Sequence, residues 1–257
     1  MNAKKVVLVT GGGRGIGRAI ALEFARAGYR VAVASDVKKE VERVRKECVK
    51  AGVESLALRV DVREEEAVRE MVRETVSGLG PLDILVTAAG ILDLRPTVDT
   101  ELAVWEQILV VNLTGTFLCV REALREMLQR GWGRIICISS VAGRVGSKHG
   151  AAYSASKHGV LGLVRSLALE VAAQGVTVNA ICPGFVETKM AREIKPVEAR
   201  LEGIDENKLI EERLRQIPIG RYLLPEEVAP VALFLASDGA AGITGQAIGV
   251  DGGLLTA

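Results

Sequence analysis

The sequence has little net charge and no long apolar run. Its 33 lysine and arginine residues are balanced by 32 aspartate and glutamate residues, which leaves a formal charge of +1. Such a balance gives no electrostatic footprint for nucleic acid or for an anionic membrane. The uninterrupted apolar runs, such as residues 6–9, are far shorter than the roughly 18–20 residues that span a bilayer. We therefore expect neither a nucleic-acid partner nor a membrane partner.

Cysteine is also scarce. The four cysteines, Cys48, Cys119, Cys137 and Cys182, are scattered, and none forms a CxxC pair, so no metal site or redox motif is expected. The N-terminal residues lead straight into a strand-like segment without the apolar region or cleavage site of a signal peptide. We predict buried, reduced thiols in a cytoplasmic protein.

What the sequence does have is an alternation of short apolar runs with longer segments of helical period. Nearly half of its 257 residues are hydrophobic, enough for a sizeable core. The predicted strands are 4–10, 31–35, 55–61, 83–89, 134–140, 176–182 and 247–251, and the predicted helices are 15–28, 37–51, 63–79, 98–130, 151–173 and 225–237. Strands this uniformly apolar are covered on both faces, as in parallel sheets. The pattern predicts a single α/β domain over residues 1–257, with a doubly wound, seven-stranded parallel sheet of Rossmann type and helices on both faces.

One segment breaks this rhythm. Residues 186–218 are charged and carry Pro196 and Pro218. Insertions at the carboxyl edge of such a sheet often cover a binding site. We predict that 186–218 forms a lid over the substrate.

The first motif with chemical meaning is "VTGGGRGIGRAI" at 9–20. Gly11, Gly15 and Gly17 lie between a predicted strand and a predicted helix, where glycine lets the backbone approach a pyrophosphate at the helix N-terminus. The spacing differs from GxGxxG, and a purely structural turn is the alternative reading.

Asp61 ends the third predicted strand. Its carboxylate can accept a hydrogen bond from an adenine amino group. The alternative is an N-cap for helix 63–79, and both roles can hold together.

Tyr153 and Lys157 are set four residues apart in the otherwise small-residue stretch "GAAYSASKHG". On a helix they share a face, and their end of the helix is close to the carboxyl ends of the strands, where doubly wound folds bind ligands. A neighbouring ammonium favours the phenolate and lowers a tyrosine pKa, which makes the pair a plausible acid/base. The structural alternative is an interfacial tyrosine with a snorkelling lysine.

Ser140 ends the fifth predicted strand. A hydroxyl there can hydrogen-bond a substrate carbonyl, and the alternative role is a turn cap.

Together, "TGGGRGIG", Ser140 with "YSASK", and "NAICPGFVET" resemble the motifs of the classical short-chain dehydrogenases/reductases along essentially the whole chain. The resemblance implies a Rossmann fold, NAD(H) or NADP(H), and hydride transfer at a ketone or secondary alcohol. It implies that Ser140 orients the substrate oxygen, Tyr153 exchanges the proton, Lys157 tunes the tyrosine and holds the nicotinamide ribose, and Asn112 positions a water in a proton relay. The predicted cofactor-binding residues are Gly11, Arg14, Gly15, Ile16, Gly17, Asp36, Asp61, Val62, Ala89, Gly90, Tyr153, Lys157, Pro183, Gly184, Val186 and Thr188.

The chain departs from the family at one strand end. The family's "NNAG" is replaced by "TAAG" at 87–90, so that Thr87 and Ala88 stand in place of two asparagines. We expect the cofactor site to survive with different hydrogen bonding there.

The substrate is less constrained. The chain looks similar to bacterial 3-oxoacyl reductases and aromatic-polyketide ketoreductases, which implies a ketone on a carrier-bound or CoA-bound chain, or a cyclic ketone. An NAD-dependent dehydrogenase of a small diol, sugar or steroid-like alcohol is the alternative. Two further alternatives are a catalytically silent nicotinamide-binding regulator and a related epimerase, dehydratase or enoyl reductase. Epimerases, dehydratases and enoyl reductases of the family usually rearrange the serine or the tyrosine–lysine spacing. Candidate pocket residues are Leu92, Leu94, Arg144, Val145, His149 and Phe185, and the basic residues Arg95, Lys189, Arg192 and Lys195 either meet carrier phosphates or are simply solvated.

Cofactor choice depends on the end of the second strand, which meets the adenine ribose. A carboxylate there accepts from the 2′-hydroxyl and repels a 2′-phosphate. The resemblance places Asp36 where NADP-dependent relatives often carry arginine, and Ser35 where NAD-dependent relatives carry aspartate. Arg14 can reach a phosphate or lie over the adenine. We predict NAD(H), with NADP(H) possible.

Two predicted helices, 98–130 and 151–173, are apolar beyond one face. Phe117, Val120, Leu161, Leu163 and Leu169 cannot all contact one sheet, and such helices pair across a two-fold axis. We predict a homotetramer, in which residues 242–257 pack at a second axis.

Overall fold

The structure, a computed structural model, describes residues 4–256. Seven parallel strands form one sheet in the order β3-β2-β1-β4-β5-β6-β7. They are β1 (Val6–Thr10), β2 (Arg30–Ser35), β3 (Ser55–Arg59), β4 (Leu82–Thr87), β5 (Gly133–Ile138), β6 (Val176–Pro183) and β7 (Ala247–Val250). The predicted seven-stranded, doubly wound fold is confirmed. Residues 1–3 and 257, which the predicted domain includes, lie outside the described residues.

Helices cover both faces of the sheet. They are α1 (Gly15–Arg26), α2 (Lys38–Lys50), α3 (Glu65–Leu79), α4 (Leu102–Leu109), α5 (Gly115–Arg130), α6 (Ala151–Val171), α7 (Lys189–Glu202), α8 (Glu206–Gln216) and α9 (Pro225–Leu235). One apolar core joins the sheet to α1, α2 and α9, and a second joins it to α3, α5 and α6. The two cores explain why the strands are apolar on both faces.

The direction in which successive strands are added to the sheet reverses between β1 and β4. These strands are neighbours in the sheet, yet the chain moves outward to β2 and β3 before it returns to β4. At such a switch point the loops that follow the strands separate and leave a crevice at the carboxyl edge. The glycine loop follows β1, and the 88–92 segment follows β4.

The predicted helix 98–130 is not regular. A short 3₁₀ turn occupies Thr97–Asp99, α4 begins at Leu102, and a π turn at Val110–Thr114 separates α4 from α5. Single π turns inside α-helices are frequent at functional sites. Leu102–Arg130 is long and apolar enough to cross a membrane, but core helices of soluble proteins also meet this criterion. In this structure α5 packs on β4 and β5.

Residues 186–218 contain two helices, α7 and α8, and their role as a lid stays a prediction. Thr188 caps α7, because its Oγ1 accepts from the Ala191 N–H at 3.1 Å, and Asp205 caps α8 in the same way through the Lys208 N–H. Pro196 lies inside α7. Thr188 and Asp205 are residue types preferred at N-caps, so the sequence carried a signal for both helices, but the prolines of the segment argued against them.

All four cysteines are free and buried. Burial raises the pKa of Cys48 and Cys137 to about 11, and that of Cys119 to about 12. These thiols serve as small core residues.

Candidate active site

The glycine loop brings backbone close to backbone. Gly11 has a φ of +63°, and a Cβ on Gly17 would lie 2.3 Å from the Gly11 carbonyl oxygen. No side chain within the described residues caps the N-terminus of α1. Its first N–H groups and the positive end of its dipole are therefore available to an anion.

Charged side chains gather at the outer end of this loop. Asp36 and Glu40 both line the cleft, and Nη1 of Arg14 lies 3.8 Å from Oε1 of Glu40. Arg14 is thus already partly neutralised by a carboxylate. Sequence reasoning missed Glu40, because it reaches the cleft from the first turn of α2.

Asp61 lines the same end of the cleft but does not cap a helix. Helix α3 begins at Glu65 rather than at residue 63, and Asp61 instead accepts from the N–H and the guanidinium of Arg63. That ion pair lowers the pKa of Asp61. The N-cap alternative is wrong, and the adenine-contact prediction stays a prediction.

Ser140 and Tyr153 face each other at the inner end of the cleft. Ser140 Oγ accepts from the Ala142 N–H at 3.1 Å, so it caps the short turn that follows β5, and it also hydrogen-bonds the Tyr153 hydroxyl. The turn-cap role considered for Ser140 is confirmed, and its hydrogen bond to a substrate carbonyl stays a prediction. Both residues line the cleft.

Lys157 is 5% exposed, and its Nζ donates to the Ile138 carbonyl at 2.9 Å. Among the described residues, Lys157 forms no ion pair, because no carboxylate oxygen lies within 4 Å of its Nζ. Burial lowers its pKa to about 8. A buried ammonium with one protein acceptor has further donors for a ligand.

The pKa of Tyr153 departs from expectation. Burial raises it, and the hydrogen bond with Ser140 lowers it only in part. The sequence predicted a lowered value from Lys157, but the Lys157 Nζ lies 5.7 Å from the ring centroid and is committed to Ile138. In this structure burial outweighs the lysine.

Asn112 sits in the π turn and is fully buried. Its Oδ1 accepts from the Ile91 N–H at 2.8 Å, and its Nδ2 donates to the Ile91 carbonyl and to Ser156 Oγ. Ser156 Oγ in turn donates to the Tyr153 carbonyl at 2.7 Å. Asn112 thus ties the loop after β4 to the helix that carries Tyr153, and its water-positioning role stays a prediction.

The predicted cofactor residues converge. All sixteen line one cleft of about 650 Å³, together with Ser140. Asn112 does not line the cleft but lies close to Gly90, which does. A Cβ on Gly90 would be 3.3 Å from Asn112 Oδ1 and 3.5 Å from Lys157 Nζ.

The predicted substrate residues divide. Leu92, Leu94, Val145 and Phe185 line the cleft. Arg144 and His149 are not among its lining residues: a Cβ on Gly249 of β7 would lie 3.2 Å from Arg144 Nη1, and His149 Nε2 lies 3.4 Å from Oε1 of Glu202 on α7. Side-chain direction, which the sequence does not reveal, separates the two groups.

The basic residues suggested for carrier phosphates are mostly engaged. Arg95 pairs with Asp93, Lys189 with Glu193 and Lys195 with Glu187. Arg192 is exposed on α7.

The residues present fit a nicotinamide dinucleotide. The uncapped N-terminus of α1 suits the pyrophosphate, the carboxylates at the outer end suit ribose hydroxyls, and the buried Lys157 suits the second ribose. Lys157 thus lies beside a candidate proton donor, Tyr153, at the inner end of the same cleft. A dinucleotide-type cleft that ends at a tyrosine and a buried lysine is an arrangement typical of an oxidoreductase.

Comparison with known proteins agrees. Residues 11–255 match the family model described as enoyl-(acyl carrier protein) reductase. The chain is 40% identical over 255 residues to the 3-oxoacyl-(acyl-carrier-protein) reductase FabG of Staphylococcus aureus, covering 99% of both chains. It belongs to the short-chain dehydrogenase/reductase family, and it is a nicotinamide-dependent oxidoreductase acting on a ketone or secondary alcohol.

Two solved structures are similar along nearly their whole length. A single-residue variant of actinorhodin polyketide ketoreductase with NADPH has a TM-score of 0.94 and 39% identity, with 98% of this chain and 97% of that one covered. Sorbitol-6-phosphate 2-dehydrogenase of Erwinia amylovora also has a TM-score of 0.94, with 36% identity and coverage of 98% and 100%.

Proposed function

We propose that this enzyme reduces the ketone of a 3-oxoacyl thioester or of a cyclic ketone. The observation that carries the proposal is the convergence of Ser140, Tyr153 and Lys157 at one end of a dinucleotide cleft. The names of the reductases to which the chain is similar support the substrate class.

The residues divide the work as follows. The nicotinamide supplies the hydride when it is bound. Ser140 donates to the substrate carbonyl oxygen and holds it next to Tyr153, whose phenolic proton is delivered to that oxygen as it becomes an alcohol. An ordinary tyrosine, with a pKa of about 10, is protonated at neutral pH, and burial raises the pKa of Tyr153 further, so the phenol is ready to donate. Lys157 holds the ribose and stabilises the negative charge that develops on the tyrosine oxygen.

A second candidate is the dehydrogenation of a small polyol or sugar alcohol. It is favoured by the similarity to a sorbitol-6-phosphate dehydrogenase. Enoyl reduction, which the matched family's description names, is less compatible with the serine and the tyrosine–lysine spacing of this chain.

A substrate panel separates these functions. We expect oxidation of reduced nicotinamide, followed by its absorbance, with 3-oxoacyl thioesters or cyclic ketones, and little with enoyl thioesters. Faster turnover with sugar alcohols and oxidised cofactor would establish the second candidate, and activity only on enoyl thioesters would contradict the proposal.

We further propose that NAD(H) is preferred over NADP(H). Asp36 and Glu40 line the adenine end of the cleft, and Arg14 is already paired with Glu40. A 2′-phosphate would therefore meet two carboxylates. The NADPH in the solved ketoreductase points the other way, so the choice needs a direct measurement.

Asp36→Arg is expected to raise the ratio of kcat/KM with NADPH to kcat/KM with NADH by about 100-fold, because it removes a repulsion and adds a charge-assisted hydrogen bond. Asp99→Arg, an exposed site that does not line the cleft, is the control and should leave the ratio unchanged. A strong wild-type preference for NADPH that Asp36→Arg does not alter would show that Asp36 does not set the choice.

We propose a homotetramer. Of the residues on which the prediction was based, Val120 and Leu161 are buried within the chain, whereas Phe117 and Leu169 are exposed. The exposed apolar side chains of α5 and α6 support a two-fold contact. Light scattering should give four times the chain mass, and a monomer at micromolar concentration would contradict this.

We also propose a cytoplasmic location. Four buried, free thiols suit a reducing compartment.

A further inference from the structure

A cluster of charged and aromatic residues lies between the two helices of the predicted lid and the segments that flank them. Its members come from α7, from α8 and from the segments that flank them: Phe185, Glu187, Lys195, Glu198, Arg213 and Tyr222. We call these residues the lid cluster. It contains two ion pairs, Lys195 with Glu187 and Arg213 with Glu198, packed against two aromatic rings.

Arg213 is the centre of the cluster. It is 7% exposed, its guanidinium carbon lies 4.5 Å from the ring centroid of Phe185, and its Nη2 pairs with Glu198 across the two lid helices. Its Nε is buried and has no hydrogen-bond partner among residues 4–256.

Tyr222 is the second unusual member. It is 8% exposed, and its hydroxyl is buried without a partner in the described part of the chain. Its ring is fixed on both sides, edge-on to Phe185 with centroids 5.8 Å apart, and 4.2 Å from the Nζ of Lys195.

Arg213, Glu198, Phe185 and Tyr222 all line the cleft that holds Tyr153, whereas Lys195 does not. A buried donor without a partner is costly, and the described residues contain nine buried polar side-chain atoms of this kind. Two of them, Arg213 Nε and the Tyr222 hydroxyl, belong to residues that line the substrate half of one cleft, where a ligand can supply the acceptor.

The charge of the cluster limits what that acceptor can be. Glu198 already neutralises Arg213, and the Lys195–Glu187 pair is neutral as well. A carboxylate or phosphate on the substrate would compete with Glu198, but a neutral oxygen would not. An alkyl chain without an oxygen would leave both donors unpaired and would keep water away from them.

We propose that Arg213 and Tyr222 form a substrate subsite that binds a neutral oxygen, a hydroxyl or a second carbonyl, which the substrate carries away from the ketone that is reduced. This rests on the proposed function for the ketone itself. It makes the two residues determinants of specificity, since a site built to donate hydrogen bonds discriminates strongly against analogues that lack the acceptor.

The test compares substrates of equal length. 3-Oxoacyl N-acetylcysteamine thioesters are prepared with a hydroxyl at successive carbons beyond the ketone, or with none. We expect the wild-type kcat/KM for the best hydroxylated thioester to exceed that for the thioester without a hydroxyl by about tenfold or more, which is the effect of one satisfied hydrogen bond.

Two variants assign the difference. Tyr222→Phe removes only the unpartnered hydroxyl, so it should keep the thermal stability and bring the ratio of the two kcat/KM values close to one. Arg213→Lys should also lower the ratio, because the shorter, non-planar cation cannot keep both the Glu198 pair and the ligand contact. Tyr29→Phe, which removes the hydroxyl of a tyrosine that does not line the cleft and packs on Phe24 instead, is the matched control and should leave the ratio unchanged.

A wild-type ratio of one along the whole series, or a ratio that both cleft variants leave unchanged, would overturn the subsite. If no thioester is reduced, the thioester proposal fails by itself. The paired comparison then uses cyclohexanone and its hydroxylated derivatives, and equal kcat/KM within those pairs overturns the subsite.

Discussion

Replacement of Tyr153 by phenylalanine is expected to lower kcat by about 10³-fold, within the range that a positioned acid/base contributes. The change removes one hydroxyl and keeps the ring. Since that hydroxyl faces Ser140 at the inner end of the cleft, binding of the dinucleotide should change by less than about twofold. Stopped-flow turnover and cofactor fluorescence titration measure the two quantities separately.

Tyr29→Phe is the matched control, because Tyr29 packs on Phe24 and does not line the cleft. It should retain wild-type kcat. Retention of most activity by the Tyr153→Phe protein would remove Tyr153 from the proposed role.

Lys157→Met is expected to damage two steps at once. Loss of a buried, charged donor should weaken cofactor binding by roughly tenfold or more and lower kcat by roughly 10²–10³-fold, as removal of one electrostatic stabiliser does. Lys195→Met, at the other buried lysine, should spare cofactor binding. Unchanged cofactor affinity in the Lys157→Met protein would contradict the proposed ribose contact.

The same variant tests the burial of the ammonium. Burial lowers the pKa of Lys157 to about 8 in the folded chain, whereas an unfolded lysine titrates near 10.4. The unfolded state therefore binds the extra proton more readily, and wild-type stability falls as the pH drops through that interval and is lowest below the folded pKa. The melting temperature of wild type, relative to that of Lys157→Met, should fall between about pH 10 and pH 7.5; a constant difference would mean that the ammonium is not buried as described.

The sheet could be predicted from the sequence because each strand is a short, mostly apolar segment between turn residues. Every predicted strand overlaps an observed one, and the ends differ by at most two residues. The irregular parts could not be predicted. The π turn at Val110–Thr114 has no local signature in "VVNLT", and α7 contains a proline that argues against a helix.

The site could be predicted where a residue's position along the backbone decides its place, as for Gly17 at the start of α1 or Tyr153 at the start of α6. The prediction failed where the direction of a side chain decides its place. Arg144 and His149 are next in sequence to residues that line the cleft, but they do not line it themselves. Arg213 is one of many charged residues in segment 186–218, nothing in the sequence singles it out, and its packing against Phe185 in the folded chain buries it.

The four inaccessible cysteines make the enzyme convenient for site-specific spectroscopy. The thiolate is the reactive form, and thiols that are buried and whose pKa is raised react slowly with maleimides at neutral pH. An Arg192→Cys protein would carry one exposed, fast-reacting sulfur on α7, with no need to mutate the native cysteines first. A fluorophore attached there would test whether α7, in the predicted lid, changes its surroundings as each substrate enters, in the same background in which the kinetics are measured.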